Sequence, residues 1–213
     1  MSRNYFGKLL SSTSPPPSKV LVLKARGSLI TILRSYLILS ICIVAIGPTV
    51  APLLLKIVAG QKWQDSGAGD VLATYCYYIP LLAINGLTEA FVSSVATESE
   101  IHRQTAWMLA FSGGFAGAAF VFLSVLDLGA KGLVWANALN MLFRILWCTA
   151  FIQGYLGRFG SGFEFNAFLP QPLSIAIGVG SYGVMGQLES TFTGGLMDLV
   201  KSGALSVAFV GLM

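Results

Sequence analysis

Residues 35–55, SYLILSICIVAIGPTVAPLLL, carry no charged side chain and are closed off by Arg34 and Lys56. Wound as an α-helix at 1.5 Å per residue, such a run is about 30 Å long, the thickness of a bilayer's hydrocarbon core. No water-soluble fold easily buries a segment that is apolar on every side, and the rest of the chain only deepens the problem. Of 213 residues, 55% are hydrophobic and 10% charged, where soluble domains carry about a quarter charged. The polar residues are too few to cover an apolar interior of this size. With lipid as solvent the conflict disappears, because a helix satisfies its own backbone there. The chain therefore reads as an all-α, polytopic transmembrane helical bundle.

Further spans follow by the same measure. The first helix is expected to start near Leu29, with residues 1–28 as a cytosolic segment and 29–213 as the bundle. Pro48 and Pro52 remove backbone donors within that helix and predict a kink or a break. A second span covers residues 71–96 and holds one acid, Glu89. The third, residues 104–126, is uncharged and contains Gly113 and Gly117 at GxxxG spacing, which permits close approach of another helix. A fourth span, 131–155, is continuous only if it is read through Arg144. A fifth lies within 165–188, beginning at Pro170 to Pro172, since proline suits a first helical turn. Residues 203–213 are apolar but half a span long, so the expectation is five full spans and a truncated sixth.

Lysine and arginine set the orientation. Arg3, Lys8, Lys19, Lys24 and Arg26 precede the first span, Arg103 separates the second from the third, and Arg158 the fourth from the fifth. The opposite loops hold Lys56, Lys62, Lys131 and Lys201. This asymmetry places the N-terminus in the cytosol.

Several chemistries are excluded or disfavoured. The net charge of +4 is spread among loops without a basic, aromatic-interleaved patch, which argues against nucleic acid. Cys42, Cys76 and Cys148 fall in predicted spans without metal spacing and read as small packing residues. His102 reads as a solvated loop residue with no second ligand nearby. Pro15 to Pro17 form a linker among serines, and the start is unlike a cleavable signal peptide. Gly67, Ala68, Gly69 and Asp70 spell the GxGD of intramembrane aspartyl proteases, but that chemistry needs a second carboxylate across the site. No Tyr-Asp dipeptide supplies it, so Asp70 is expected to cap the second helix. Signatures of zinc proteases, serine hydrolases and phosphate loops are missing. Neither enzyme nor cofactor is indicated.

What remains is a set of polar residues inside the predicted spans, where they are costly and usually functional. Tyr78, Asn85 and Glu89 lie at i, i+7 and i+11 on the second helix, bordered by Thr88. Asn137, Asn140 and Arg144 lie at i, i+3 and i+7 on the fourth. Glu89 falls about 10 Å and Arg144 about 15 Å from the cytosolic helix ends, and Arg34 stands at the start of the first helix. These groups are expected to line a shared polar cavity. Arginine's planar fork suits phosphate as well as carboxylate, so the bases can receive an anionic headgroup while Glu89 positions one of them. The competing account is an interhelical ion pair that only fixes packing, with Arg34 snorkelling to the surface.

The segments YCYYIPLLAINGLTEAF (75–91), TESEIHR (97–103) and GLVWANALNMLFRI (132–145) resemble, in order and spacing, the eukaryotic Rft family. Members of that family are described as Man(5)GlcNAc(2)-PP-dolichol translocation proteins of the endoplasmic reticulum, within the superfamily of multidrug, oligosaccharide-lipid and polysaccharide exporters. The opening SRNYFGKLL resembles the stretch after the family's Pro-Ile-Glu-Glu motif. The resemblance implies a C-terminal portion of a longer protein, one lobe of an exporter-type fold whose missing N-terminal lobe is its partner. It also implies a dolichol-diphosphate oligosaccharide as ligand, a multi-pass endoplasmic reticulum location and a role in N-glycan assembly. Two other classes stay open: an accessory or scaffold protein of the same pathway, and, more weakly, an integral-membrane transferase, against which stands the want of an acidic metal-binding cluster.

A glycosylation acceptor inserted within residues 60–69 is expected to be modified in the lumen, and one placed between the second and third spans is not. A mobility-shift assay with glycosidase treatment reads both.

Overall fold

A computed structural model describes residues 19–60, 66–162, 172–189, 200–201 and 204. Among them there is no strand. Helix α1 runs Lys19–Ala59, α2 Ala68–Val95, α3 Glu98–Phe120, α4 Gly129–Gly157 and α5 Pro172–Glu189. α3 continues into a π-helical turn, Val121–Val125. Four helices, Lys19–Ala59, Ala68–Val95, Glu98–Val125 and Gly129–Gly157, are long and apolar enough to cross a membrane. Where the fifth span was predicted, the described residues form the 18-residue helix α5, which is not one of those four. Of the predicted half-span at 203–213 only residue 204 is among the described residues, and the proline run at 15–17 lies outside them.

α1 starts at Lys19, ten residues before the expected Leu29. The physical reason is its buried face: Val22, Ala25, Leu29 and Leu33 recur at helical spacing and pack with Phe91, Val92, Ile152 and Leu156. The polar residues between them, Lys19, Lys24 and Arg26, hid that periodicity from a count of uncharged residues. Arg26 adds a tie by donating from Nε to the carbonyl of Gly162 at 2.9 Å. At 41 residues α1 is about 60 Å long, twice the hydrocarbon thickness, so its ends reach the headgroup layers. Pro48 and Pro52 sit within α1 without ending it.

The register of side chains gives the directions. α1 lies antiparallel to α2, with its start beside Phe91 and Val92 and its later turns beside the start of α2, where Gly47 faces Cys76 and Gly69 faces Pro52. A Cβ on Gly47 would fall 2.8 Å from the Cys76 sulfur, so this glycine sets how close α1 and α2 approach. α2 and α4 run parallel: Asp70 pairs with Lys131 at 2.7 Å at their first turns, and Phe91 meets Tyr155 edge-on at 6.2 Å near their ends. Two parallel spans require a crossing helix between them, and α3 fills that role. It packs chiefly on α4, with Phe111 stacked on Phe143 at 6.0 Å. α5 rests on α1 and reaches α2 through a 3.1 Å hydrogen bond between the hydroxyls of Tyr182 and Tyr77.

The corners are built by local chemistry. Gly67, at φ +71°, precedes the first turn of α2. Asp70 lies inside that turn rather than at the cap, and its carboxylate goes to Lys131 instead. Thr97 begins α3 and donates its N–H to the Glu100 carboxylate at 3.0 Å, half of a capping box. The other Glu100 oxygen receives Arg158 from the end of α4 at 3.1 Å. His102 belongs to α3 rather than to a loop, because the capping box starts the helix at Glu98. It stays exposed, 4.0 Å from Glu98.

The outer faces are apolar. Val58 and Leu109 are 83% and 76% exposed, an arrangement that suits lipid rather than water. Gly113 and Gly117 have open space where a Cβ would stand, so their spacing serves no close approach among the described residues.

Gly47→Ala is expected to destabilise the bundle by about 1–3 kcal/mol through overpacking against Cys76, with Cys76→Ala on the same chain recovering part of it. Gly113→Ala should stay within about 0.5 kcal/mol of the parent. Thermal unfolding in detergent with a double-mutant cycle checks the pair.

Candidate functional site

The parallel packing of α2 and α4 brings their polar stripes face to face. Glu89 is the hub. Its Oε1 accepts from the Arg144 guanidinium at 2.5 Å and its Oε2 accepts from Asn85 Nδ2 at 3.1 Å. One turn separates Asn85 from Glu89 on α2, so the amide braces the carboxylate from its own helix while the arginine reaches it from the neighbour. Deeper along the seam, Asn137 donates to the Tyr78 hydroxyl at 3.1 Å. The result is a ladder of two polar rungs, with Asp70 and Lys131 closing it at the far membrane face.

Burial differs along the ladder. Tyr78 and Asn85 are each 4% exposed, whereas the Glu89 and Arg144 side chains keep 27% and 26%. The ion pair is thus sheltered by helix packing and open along one side. An ion pair in such a place stands only while both partners remain, because either charge alone, desolvated, costs several kcal/mol.

Three buried atoms in this seam have no hydrogen-bond partner among the described residues: Asn85 Oδ1, Asn140 Oδ1 and Arg144 Nε. They belong to residues one turn apart on facing helices, Asn85 with Glu89 and Asn140 with Arg144.

Two of the residues expected in a shared cavity stand apart. Arg34 is exposed on α1, one residue off the face that carries Leu29 and Leu33 into the core. Among the described residues it joins no ion pair, so the three charges anticipated together resolve into a pair and a separate arginine. Thr88 is buried, but its hydroxyl turns back on its own helix to the carbonyls of Ile84 at 3.0 Å and Asn85 at 3.1 Å. Two grooves in the bundle are walled by other residues. One of about 470 Å³ lies between α1, α2 and α5 against Leu37, Ile41, Val44, Pro80 and Val179. The other, of about 490 Å³, lies by Leu55, Val71, Leu72 and Tyr75. The site residues that the structure brings together lie along the seam between α2 and α4. Sequence reasoning missed the Asp70–Lys131 and Tyr77–Tyr182 contacts. The first was within reach, since opposite charges in the first turns of two parallel helices meet.

Among the described residues no group of three histidine, cysteine or acidic side chains is placed to hold a metal ion, and no disulfide joins Cys42, Cys76 or Cys148.

Four helices of spanning length around a seam of intramembrane ion pair and amides define a polytopic integral membrane protein. The whole chain, residues 1–213, matches the family described as Rft protein, and it belongs to that family. It is 36% identical over 153 residues to the Man(5)GlcNAc(2)-PP-dolichol translocation protein RFT1 of Saccharomyces cerevisiae, covering 72% of this chain and 26% of that protein. The protein of the same name from Yarrowia lipolytica is 33% identical over 185 residues, 83% of this chain and 27% of the relative. That from Eremothecium gossypii is 38% identical over 130 residues, 61% and 24%. The chain thus spans about a quarter of the length of these relatives. No solved structure matches it.

Arg144→Ala strands Glu89 and is expected to cost about 3 kcal/mol of stability. Glu89→Leu combined with Arg144→Leu should recover most of that loss. Unfolding titrations in mixed micelles compare the single and double variants.

Proposed function

We propose that the full-length protein carries Man(5)GlcNAc(2)-PP-dolichol across the endoplasmic reticulum membrane for N-glycan assembly, and that this chain supplies much of one lobe. The observation that carries the reading is the Glu89–Arg144 pair, about a quarter exposed on a spanning helix pair, in a chain whose relatives are named for translocating that lipid. A lipid diphosphate is an anion that Arg144 can hold through charge-assisted hydrogen bonds. In this reading Asn85, Asn137, Asn140 and Tyr78 complete the polar path, Arg34 adds charge near the cytosolic end, and Thr88 shapes the helix backbone. The carbon-walled groove between α1, α2 and α5 offers hydrocarbon a surface of its own kind. The missing N-terminal lobe faces the seam, and the N-terminus of this chain lies in the cytosol.

A second reading, a non-transporting scaffold of the same pathway, is favoured by one feature. Both carboxylate oxygens of Glu89 are already taken within the chain, as an assembly tie requires. The class is non-enzymatic in either case.

Purified full-length protein in liposomes should move labelled glycolipid between leaflets. Arg144→Lys, which keeps the charge and loses the fork, should slow it about tenfold or more, the worth of one charged hydrogen bond. A folded wild-type protein that moves no glycolipid, while still supporting glycosylation in cells, establishes the scaffold instead.

A further inference from the structure

The ladder between α2 and α4 leaves one interval unfilled. Its upper rung is Glu89 with Arg144, and its lower rung is Tyr78 with Asn137. Because the two helices run parallel, Asn85 and Asn140, each one turn before its charged neighbour, fall between the rungs from opposite sides. The residues that flank this interval carry buried atoms without a hydrogen-bond partner among the described residues: two amide oxygens, Asn85 Oδ1 and Asn140 Oδ1, and one guanidinium N–H, Arg144 Nε. Turning the Asn85 amide over offers no escape, since its nitrogen is engaged by Glu89 and an oxygen there would face the carboxylate. Buried polar atoms of this kind are paired in the great majority of proteins, and leaving one unpaired costs about 1–3 kcal/mol.

The three atoms specify their missing partner. It must accept from Arg144 and donate to two carbonyl oxygens. An ionised phosphate accepts but does not donate, a metal cation takes the amide oxygens but repels the guanidinium, and a hydrocarbon does neither. A water molecule does both, and so does a pair of neighbouring hydroxyl groups, each of which donates to one amide oxygen. Water in particular has two protons and free lone pairs, matching two orphaned acceptors and one orphaned donor, and buried waters typically make about three such bonds.

We infer that the interval between the rungs, bounded by Asn85, Asn140 and Arg144, is a hydroxyl-binding site, filled by an internal water or by two neighbouring hydroxyls of a sugar. The site divides the labour of the seam: the open side of the Glu89–Arg144 pair faces charge, and the interval beneath it faces neutral hydroxyls. The water source stands on the seam's geometry alone. The sugar source rests in addition on the glycolipid reading above.

Asn140→Leu in the full-length protein separates the outcomes, because Asn140, unlike Asn85, makes no bond to Glu89. Thermal unfolding is measured in nanodiscs without added lipid ligand, with dolichyl diphosphate carrying the oligosaccharide, and with dolichyl phosphate, which has no sugar. A midpoint lowered by about 2 °C or more without ligand is the result expected for internal water. An unchanged midpoint, with stabilisation by the sugar-bearing lipid lost and that by dolichyl phosphate kept, identifies the sugar hydroxyl. A raised or unchanged midpoint with both lipid responses intact overturns the site, since leucine would then have relieved an unpaired amide or touched nothing. Should the variant fail to fold, a density map of the wild-type protein that resolves ordered water decides: density between the three side chains supports the site, and Arg144 Nε bonded directly to Asn140 overturns it. Both negatives are read from stability and bound density, while the transport reading is tested separately by glycolipid movement with the wild-type protein in liposomes, so the two failures are distinguishable.

Discussion

The structure depends on the rule that a polar group inside a bilayer must find its partner within the protein. Hydrocarbon offers Glu89 and Arg144 neither water nor counter-ion, so each is tolerable only beside the other. That requirement fixes more than two side chains. It sets the rotation of α2 and α4 about their axes and their relative height, because a shift of one residue would carry Glu89 about 100° round the helix and away from the arginine. Asp70 with Lys131 and Tyr78 with Asn137 join the same two helices in the same parallel order at other depths.

Once α2 and α4 are locked in parallel, the remaining elements have little freedom. A parallel pair needs a crossing helix, and α3 is that crossing, fastened at one end by Glu100 with Arg158 and loosened at the other by the π turn before α4. α1 closes the opposite side of α2 through apolar packing and through the close contact that Gly47 permits. Specificity thus comes from the polar ladder and adhesion from small and apolar residues. In a membrane this division is expected, since apolar side chains gain little by leaving lipid for one another.

The same ladder suits two roles because paired charges are both rigid and poised. With Glu89 satisfied by Arg144 and Asn85, the seam is stable as it stands. With both charged side chains about a quarter exposed, an anion arriving from the open side competes with the carboxylate for the guanidinium. A seam of this kind holds two helices together in one state and yields a cation to a ligand in another.

Much of this was legible in the sequence, and for one reason: lipid makes composition informative. Charge-free runs of bilayer length located the spans, and reading through Arg144 as one helix agreed with α4. The stripes on α2 and α4 were visible because a polar residue inside such a run stands out against its neighbours. What the run count obscured was α1 before Leu29, where charged residues alternate with buried ones. Asp70 and His102 were misplaced because caps depend on backbone geometry one or two residues away. Only the tertiary structure decided that Glu89 pairs with Arg144 while Arg34 stands apart, and that two asparagine oxygens and an arginine N–H are left without a partner among the described residues. Helical periodicity determines which face a residue occupies, but which helix that face meets, and at what height, follows from packing the bundle.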